Sequence, residues 1–157
     1  MRSVALVLCT LSTLLLLAAA APAAQAGGPR LDAGERTVVR VINRARARHG
    51  LHRLRAERRL AGAADLHSRQ MLAADSFAHG SFTERVRRFV GYRRIGETIA
   101  MTARCSAHRV VRMWLASPGH RAVLLSRSYG RVGVGRRVGR LGDRRACLVT
   151  ADFASRR

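Results

Sequence analysis

The C-terminal part of the chain changes period. "YGRVGVGRRV" (129–138) and "RRACLVTADF" (144–153) are short β-type runs separated by "GRLGD" (139–143), with Gly139 and Gly142-Asp143 as turn residues. They predict a hairpin. The periodic apolar segments ahead of it have helical spacing, so helices come first and strands last. That order points away from alternating βαβ units and toward a sheet packed under helices, an α+β class.

Residues 33–49, "AGERTVVRVINRARARH", predict an amphipathic helix with Val38, Val41, Ile42 and Ala45 on one side and arginines on the other. Gly50 is its left-handed stop. A second helix follows "LHRL" through "ERRLAGAADLHSRQMLAAD", with Leu60, Ala64, His67 and Met71 on one stripe. His67 is therefore expected as a core or boundary histidine. After the loop "SFAHGSF" come a short helical piece around Thr83 to Phe89 and a helix from Ser106 to about Ala116. The apolar side of the latter is Val110, Val111, Trp114 and Leu115. "SPGHRAVLL" restarts a helical turn, where the Ser117 hydroxyl is suited to cap free amides and Pro118 to the first helical position.

The first 26 residues form a secretory signal: Met1-Arg2, an apolar run from Val4 to Ala21, then Ala24-Gln25-Ala26. The run is short for a spanning helix of about 20 residues. Cys9 lies at its front with no small-residue cleavage site before it, which argues against a lipoprotein. The expected organisation is a leader over 1–26, a linker over 27–36 and one domain over 37–154 in a secreted, extracellular protein. Cys105 and Cys147 remain, and in an exported chain a disulfide between them is the default reading. Two free thiols are the rival, whereas a zinc pair lacks a C-x-x-C spacing or clustered histidines.

Formal charge is +21, and all 30 basic residues are arginine. Such a field attracts anionic wall or membrane polymers, while export argues against nucleic acid. A coding bias toward Arg, Ala and Gly explains the same composition without function, and the arginines are spread along the chain.

Acids are scarce, so Glu97 in "YRRIGETIAM" raises a choice. It is either a surface carboxylate satisfied by Arg93 or Arg94, or a pocket acid. His49, His52 and His108 stand among charged neighbours near helix ends and read as solvated surface. His79, between Phe77 and Phe82, and His120, just beyond Trp114, have the apolar, loop-built settings in which histidine serves as metal ligand or general base. No G-x-S-x-G, H-E-x-x-H or Walker loop is present, and no Asp is evidently tied to His120 to complete a triad with Ser117.

"VINRARARHGLHRL", "LAGAADLHSRQM", "FAHGSF", "IGETIA", "WLASPGHRAVLL", "GVG" and "TADF" follow one another in this order. Together, over about residues 37–153, they resemble the CAP superfamily of cysteine-rich secretory, antigen 5 and pathogenesis-related 1 proteins (SCP domains), in its small exported bacterial form. The resemblance implies a three-layer α-β-α sandwich with a mainly antiparallel central sheet. It also implies a cleft in which His79 and His120 match the family's two histidines and Glu97 its "GEN" glutamate. Thr98 replaces the asparagine of that motif, and Ser117 stands where several eukaryotic members have a second glutamate.

Two imidazoles and a carboxylate suit Zn²⁺ or another divalent ion with a position left for water; alternatively Glu97 accepts an N–H and fixes a histidine tautomer. Two histidines on one tetrahedral zinc would have nitrogens about 3.3 Å apart. The expected function is a binding module for a divalent metal or a small, lipid-like ligand, leaning away from an enzyme. The alternatives are a metal-assisted extracellular hydrolase of peptide or cell-wall material using Glu97, His79 and His120, and a binder of anionic polymers through the arginine surface.

Overall fold

Asp32 and Glu35 start the first helix between them, each side chain accepting the other's backbone N–H at 2.7 Å. The computed structural model describes residues 30–155; the leader reading for 1–26, Cys9 included, lies outside them. Helix α1 spans Ala33–Arg48, so residues 33–36, expected as linker, are its first turn. Gly50 follows the helix at φ +63°, the left-handed stop anticipated.

The chain continues through β1 (Arg55–Ala56), α2 (Arg58–Ala73), α3 (Phe82–Phe89), β2 (Ile95–Thr102), α4 (Ala107–Ala116), α5 (Pro118–Leu124), β3 (Tyr129–Leu141) and β4 (Arg144–Ser155). The sheet order is β1-β3-β4-β2, antiparallel except for the two-residue β1, which runs parallel to β3. The expectation of helices first and strands last is corrected by β2, which lies mid-chain and pairs with β4. Gly139 is also not a turn residue: it sits within β3 opposite Ala146, and Gly142-Asp143 alone makes the turn, with Gly142 at φ +55°.

Helices cover both faces, as a three-layer sandwich requires. In β4, Cys147, Val149, Ala151 and Phe153 alternate toward a core shared with α1 and α4 (Val38, Ile42, Val110, Trp114). The intervening Leu148 and Ala154 face the layer of α2 and α3, with Met71, Leu60 and Val86. Trp114, 1% exposed, donates its indole N–H to the Ile99 carbonyl at 2.8 Å and so ties α4 to β2. The Arg46 guanidinium, also 1% exposed, donates to the carbonyls of His52, Leu124 and Ser126 and fastens α1 to the end of α5. Cys105 and Cys147 form the disulfide anticipated. It closes a loop of 42 residues between the start of α4 and β4, worth about 4 kcal/mol in the loop-entropy account. Among the described residues no helix is long and apolar enough to cross a membrane.

Helix α2 lies close against β3. On the β3 face toward α2, Gly133 and Gly135 leave no room for a side chain: an added Cβ would lie 2.0 Å from the Ala61 amide nitrogen and 2.2 Å from that of Asp65, respectively. Ser68 of α2 closes the contact by bonding the Gly135 carbonyl at 3.2 Å and the Thr150 hydroxyl at 3.0 Å. Because the obstruction is backbone, Gly135→Ala is expected to cost about 3 kcal/mol or more by overpacking. Gly91→Ala, whose Cβ would meet nothing within 4 Å, should stay within about 0.5 kcal/mol of wild type. Urea denaturation of both variants checks this, and equal midpoints would contradict the close approach.

Candidate functional site

Strand β2 alternates. Ile95, Glu97 and Ile99 turn toward the α2 layer, while Gly96, Thr98 and Ala100 turn toward α4. Glu97 is thereby buried, its side chain 1% exposed. Thr98 is buried on the opposite face with no hydrogen-bond partner for its hydroxyl, so its expected place in the cleft is corrected. Ser117 joins α4 to α5 through its backbone, its carbonyl accepting from the Arg121 amide at 2.8 Å; the cap expected from its hydroxyl is not made.

Glu97 has two close partners. One carboxylate oxygen accepts from His79 Nδ1 at 2.7 Å, and the other accepts from the Arg85 guanidinium of α3. His79 comes from the loop between α2 and α3, and His120 from the first turn of α5. Their Nε2 atoms are 3.5 Å apart and their ring centroids 5.6 Å apart. Two further groups, His67 and Asp152, complete the surroundings. His67 of α2 has Nε2 3.8 Å from Glu97 Oε2, Arg85 also lies 3.7 Å from Asp152 Oδ1, and Asp152 is the cross-strand partner of Glu97 on β4. Beside the same loop, Leu66, Met71, Ala74, Ala78, His67 and Arg85 help line a cavity of about 290 Å³.

Electrostatics follow from burial. Asp152 is 0% exposed and neither of its oxygens has a hydrogen-bond partner. Burial first, and the Glu97 carboxylate second, push it well above the usual carboxylate range. Glu97 is also raised by burial, against the pull of Arg85 and His79. One guanidinium beneath two carboxyls is balanced when Asp152 holds its proton and Glu97 does not. Burial, then Arg85, lowers His67 to about 4, which makes its approach to Glu97 one of a neutral ring. His120 is lowered by burial and by His79, which favours the neutral, metal-ligating form.

His79, Glu97 and His120 are thus brought together, while Thr98 faces away. Glu97 is not the third ligand of a metal: it stands behind His79 and holds its Nδ1, leaving Nε2 free to face His120. Among the described residues no group of three or more His, Cys, Asp or Glu is arranged to hold an ion. The two Nε2 atoms nevertheless stand close to the spacing of about 3.3 Å that one tetrahedral zinc asks of two histidines. Sequence reasoning missed Arg85 and Asp152. An acid inside the apolar alternation of "CLVTADF" was a signal for Asp152, whereas Arg85 is indistinguishable by sequence among so many arginines. His67 is buried as expected, but against Glu97.

The CAP model, described as the cysteine-rich secretory protein family, matches residues 39–152. The uncharacterized protein YkwD of Bacillus subtilis is 31% identical over 111 residues, 67% of this chain and 43% of that protein. An extracellular protein containing an SCP domain from Bacillus anthracis aligns with TM-score 0.67 and 28% identity, over 78% of this chain and 40% of that one. An outer surface protein of Borrelia burgdorferi aligns with TM-score 0.67 over 83% of this chain and 99% of that one; at 19% identity it is a likeness of fold. The chain spans less than half the length of the curated relatives it matches, 43% and 31%.

The His67 environment sets an acid response. His67 stays neutral in the fold down to about 4, whereas its ordinary value is 6.5. The unfolded chain then binds the extra proton, so this contribution is whole above pH 6.5 and is lost as pH falls toward about 4. Asp152 and Glu97, both raised in the fold, work in the opposite direction. The measurement is therefore the difference in urea midpoint between wild type and His67→Gln. Wild type is expected to lose more stability than the variant between neutral pH and pH 4, and parallel profiles would contradict the assignment.

Proposed function

The chain belongs to the cysteine-rich secretory protein family, CAP, and on that footing we propose that it is an extracellular binding module whose His79–His120 pair seats a divalent transition-metal ion. The observation that carries this is the 3.5 Å separation of the two Nε2 atoms. That is long for a hydrogen bond and near the edge of a tetrahedral zinc site. With His79 Nδ1 turned to Glu97, Nε2 is the ring nitrogen left to face His120 and an ion. His120, held neutral by burial and by His79, offers the second. Zn²⁺ or a similar ion would supply Lewis acidity and positions for ligand or water; the chain supplies two imidazoles and the carboxylate that orients one of them. An extracellular setting is supported by the disulfide, the leader reading over 1–26, and relatives described as extracellular or outer-surface proteins.

Binding is favoured over metal-assisted hydrolysis of peptide or cell-wall material by the state of Glu97. A general base must reach the proton it abstracts, and both Glu97 oxygens are taken, by His79 and Arg85. A small amphiphilic ligand, the other substrate class suggested by the family resemblance, has the mainly apolar cavity beside the loop as its nearest space.

Zinc titration with a competing chelator tests the reading. One equivalent per chain is expected at neutral pH, with His79→Ala and His120→Ala each abolishing measurable uptake. Glu97→Gln should keep the stoichiometry and weaken affinity about 10–100-fold, as is typical when the partner behind a metal-bound histidine is lost. Equal uptake by wild type and the His79→Ala/His120→Ala double variant would overturn the site.

A further inference from the structure

Helix α1 carries Arg36, Arg40, Arg44 and Arg48 at four-residue intervals, all exposed. In a helix that spacing makes each arginine the neighbour of the next, with rungs about 6 Å apart along the axis, in a row about 18 Å long that winds about 40° per step and about 120° around the helix from Arg36 to Arg48. Arg36 donates to the Leu31 carbonyl and Arg40 to the Thr37 hydroxyl. No ion pair among the described residues reaches any of the four: Asp32 pairs with Arg136, Glu57 with Arg131, Asp65 with Arg69 and Arg137, and Glu84 with Arg88. Beside the ladder Arg53 joins Arg40 and Arg44 around a groove of about 270 Å³, with Asn43 and Ala47 between them. Like charges at this interval destabilise a helix by about 0.2–0.5 kcal/mol per pair, and among the described residues no ion pair offsets them.

We propose that this face of α1 binds a linear polyanion of repeating phosphodiesters, laid along the Arg36–Arg48 line with Arg53 flanking its middle. Guanidinium groups engage phosphate bidentately, and a row of them matches a row of charges better than a single site does. A flat anionic bilayer fits less well. The large exposed apolar residues are Phe77, Met101, Met113 and Val138, none of them on α1, so the face has nothing to insert among lipid tails. A single-stranded nucleic acid fits less well too, because α1 contains no aromatic side chain on which bases could stack. A polyol-phosphate chain needs neither.

The test uses poly(glycerol phosphate) with the full-length secreted protein, followed by fluorescence anisotropy across a salt series. Releasing counterions at four or five arginines gives a slope of log K against log salt of about −3 for a single-stranded polyanion. The triple variant Arg40→Gln/Arg44→Gln/Arg48→Gln should reduce that slope by about 2 and weaken binding more than tenfold. Glutamine matches arginine in helix propensity, so circular dichroism should show the fold retained and the thermal midpoint unchanged or slightly raised. A second triple, Arg58→Gln/Arg59→Gln/Arg87→Gln, removes the same charge from exposed positions on α2 and α3 and should leave the slope near that of wild type. Equal losses from both triples would overturn the proposal, since a diffuse field would then suffice. So would tighter binding to oligothymidine of equal phosphate number, or to phosphatidylglycerol vesicles in phosphatidylcholine, than to the polymer.

Discussion

The close approach of α2 to β3 is the contact on which the rest of the molecule depends. Gly133 and Gly135 let the helix backbone come down onto the strand, where any side chain would collide with the amides of Ala61 and Asp65. Gly133 is also the cross-strand neighbour of Asp152, which in turn pairs with Glu97. The missing side chain, the buried acid and the cleft acid therefore stand in one row across the sheet. Lowering the helix onto that row buries His67 beside Glu97 and removes Asp152 from solvent altogether. A bulkier residue on β3 would lift α2 and admit water to both carboxyls, and the reasons for their shifted protonation would disappear.

That dry row then fixes the protonation pattern. Two buried carboxyls share one guanidinium, and separated buried charge is costly. Keeping the proton on Asp152 leaves a Glu97–Arg85 pair of no net charge, and the remaining oxygen of Glu97 is free to accept from His79 Nδ1. The orientation of His79, and with it the direction of Nε2 toward His120, is thus set from beneath by residues that never reach the surface. Glu97 matters here as the support of a ligand. The choice first posed by "YRRIGETIAM" is resolved in neither original form: the acid is in a pocket, and an arginine satisfies it, but that arginine is Arg85. Arg94 instead donates to the Ser128 hydroxyl.

Much of the fold was legible because local signals and tertiary structure agree. Gly50, the Ser117-Pro118 helix restart and the Gly142-Asp143 turn mark boundaries through backbone chemistry that acts wherever the chain goes. Strand β2 was harder to read, because "IGETIAMT" is buried by the sheet through Ile99, Thr98 and Ala100 alike and lacks a clean polar face. Gly139 was misread since a glycine inside a strand and one in a turn look the same until Leu72 is seen packed above it. At the site, His79, Glu97 and His120 were found through family resemblance. Thr98 was carried into the cleft along with Glu97, although adjacent strand residues face opposite sides. Arg85 was not legible, because only its partners in the fold distinguish it from other arginines.

Composition and arrangement give different information about those arginines. A coding bias accounts for arginine in place of lysine everywhere at once, and so explains no single position. Arg46 is explained by geometry: its donors reach four carbonyls, from His52, Leu124, Ser126 and Tyr129, in a buried corner where a planar fork of five N–H groups serves and an ammonium with three would leave an acceptor unmet. Arg85 spans two carboxyls, and Arg131 and Arg136 bind surface acids. Among the exposed arginines that no ion pair reaches, those of α1 stand out because each lies one turn from the next. Substitutions at random positions in a helical face would scatter around the cylinder. Like charges on successive turns of α1 carry a small standing cost to the helix, and the polyanion proposed above is a contact that would offset it.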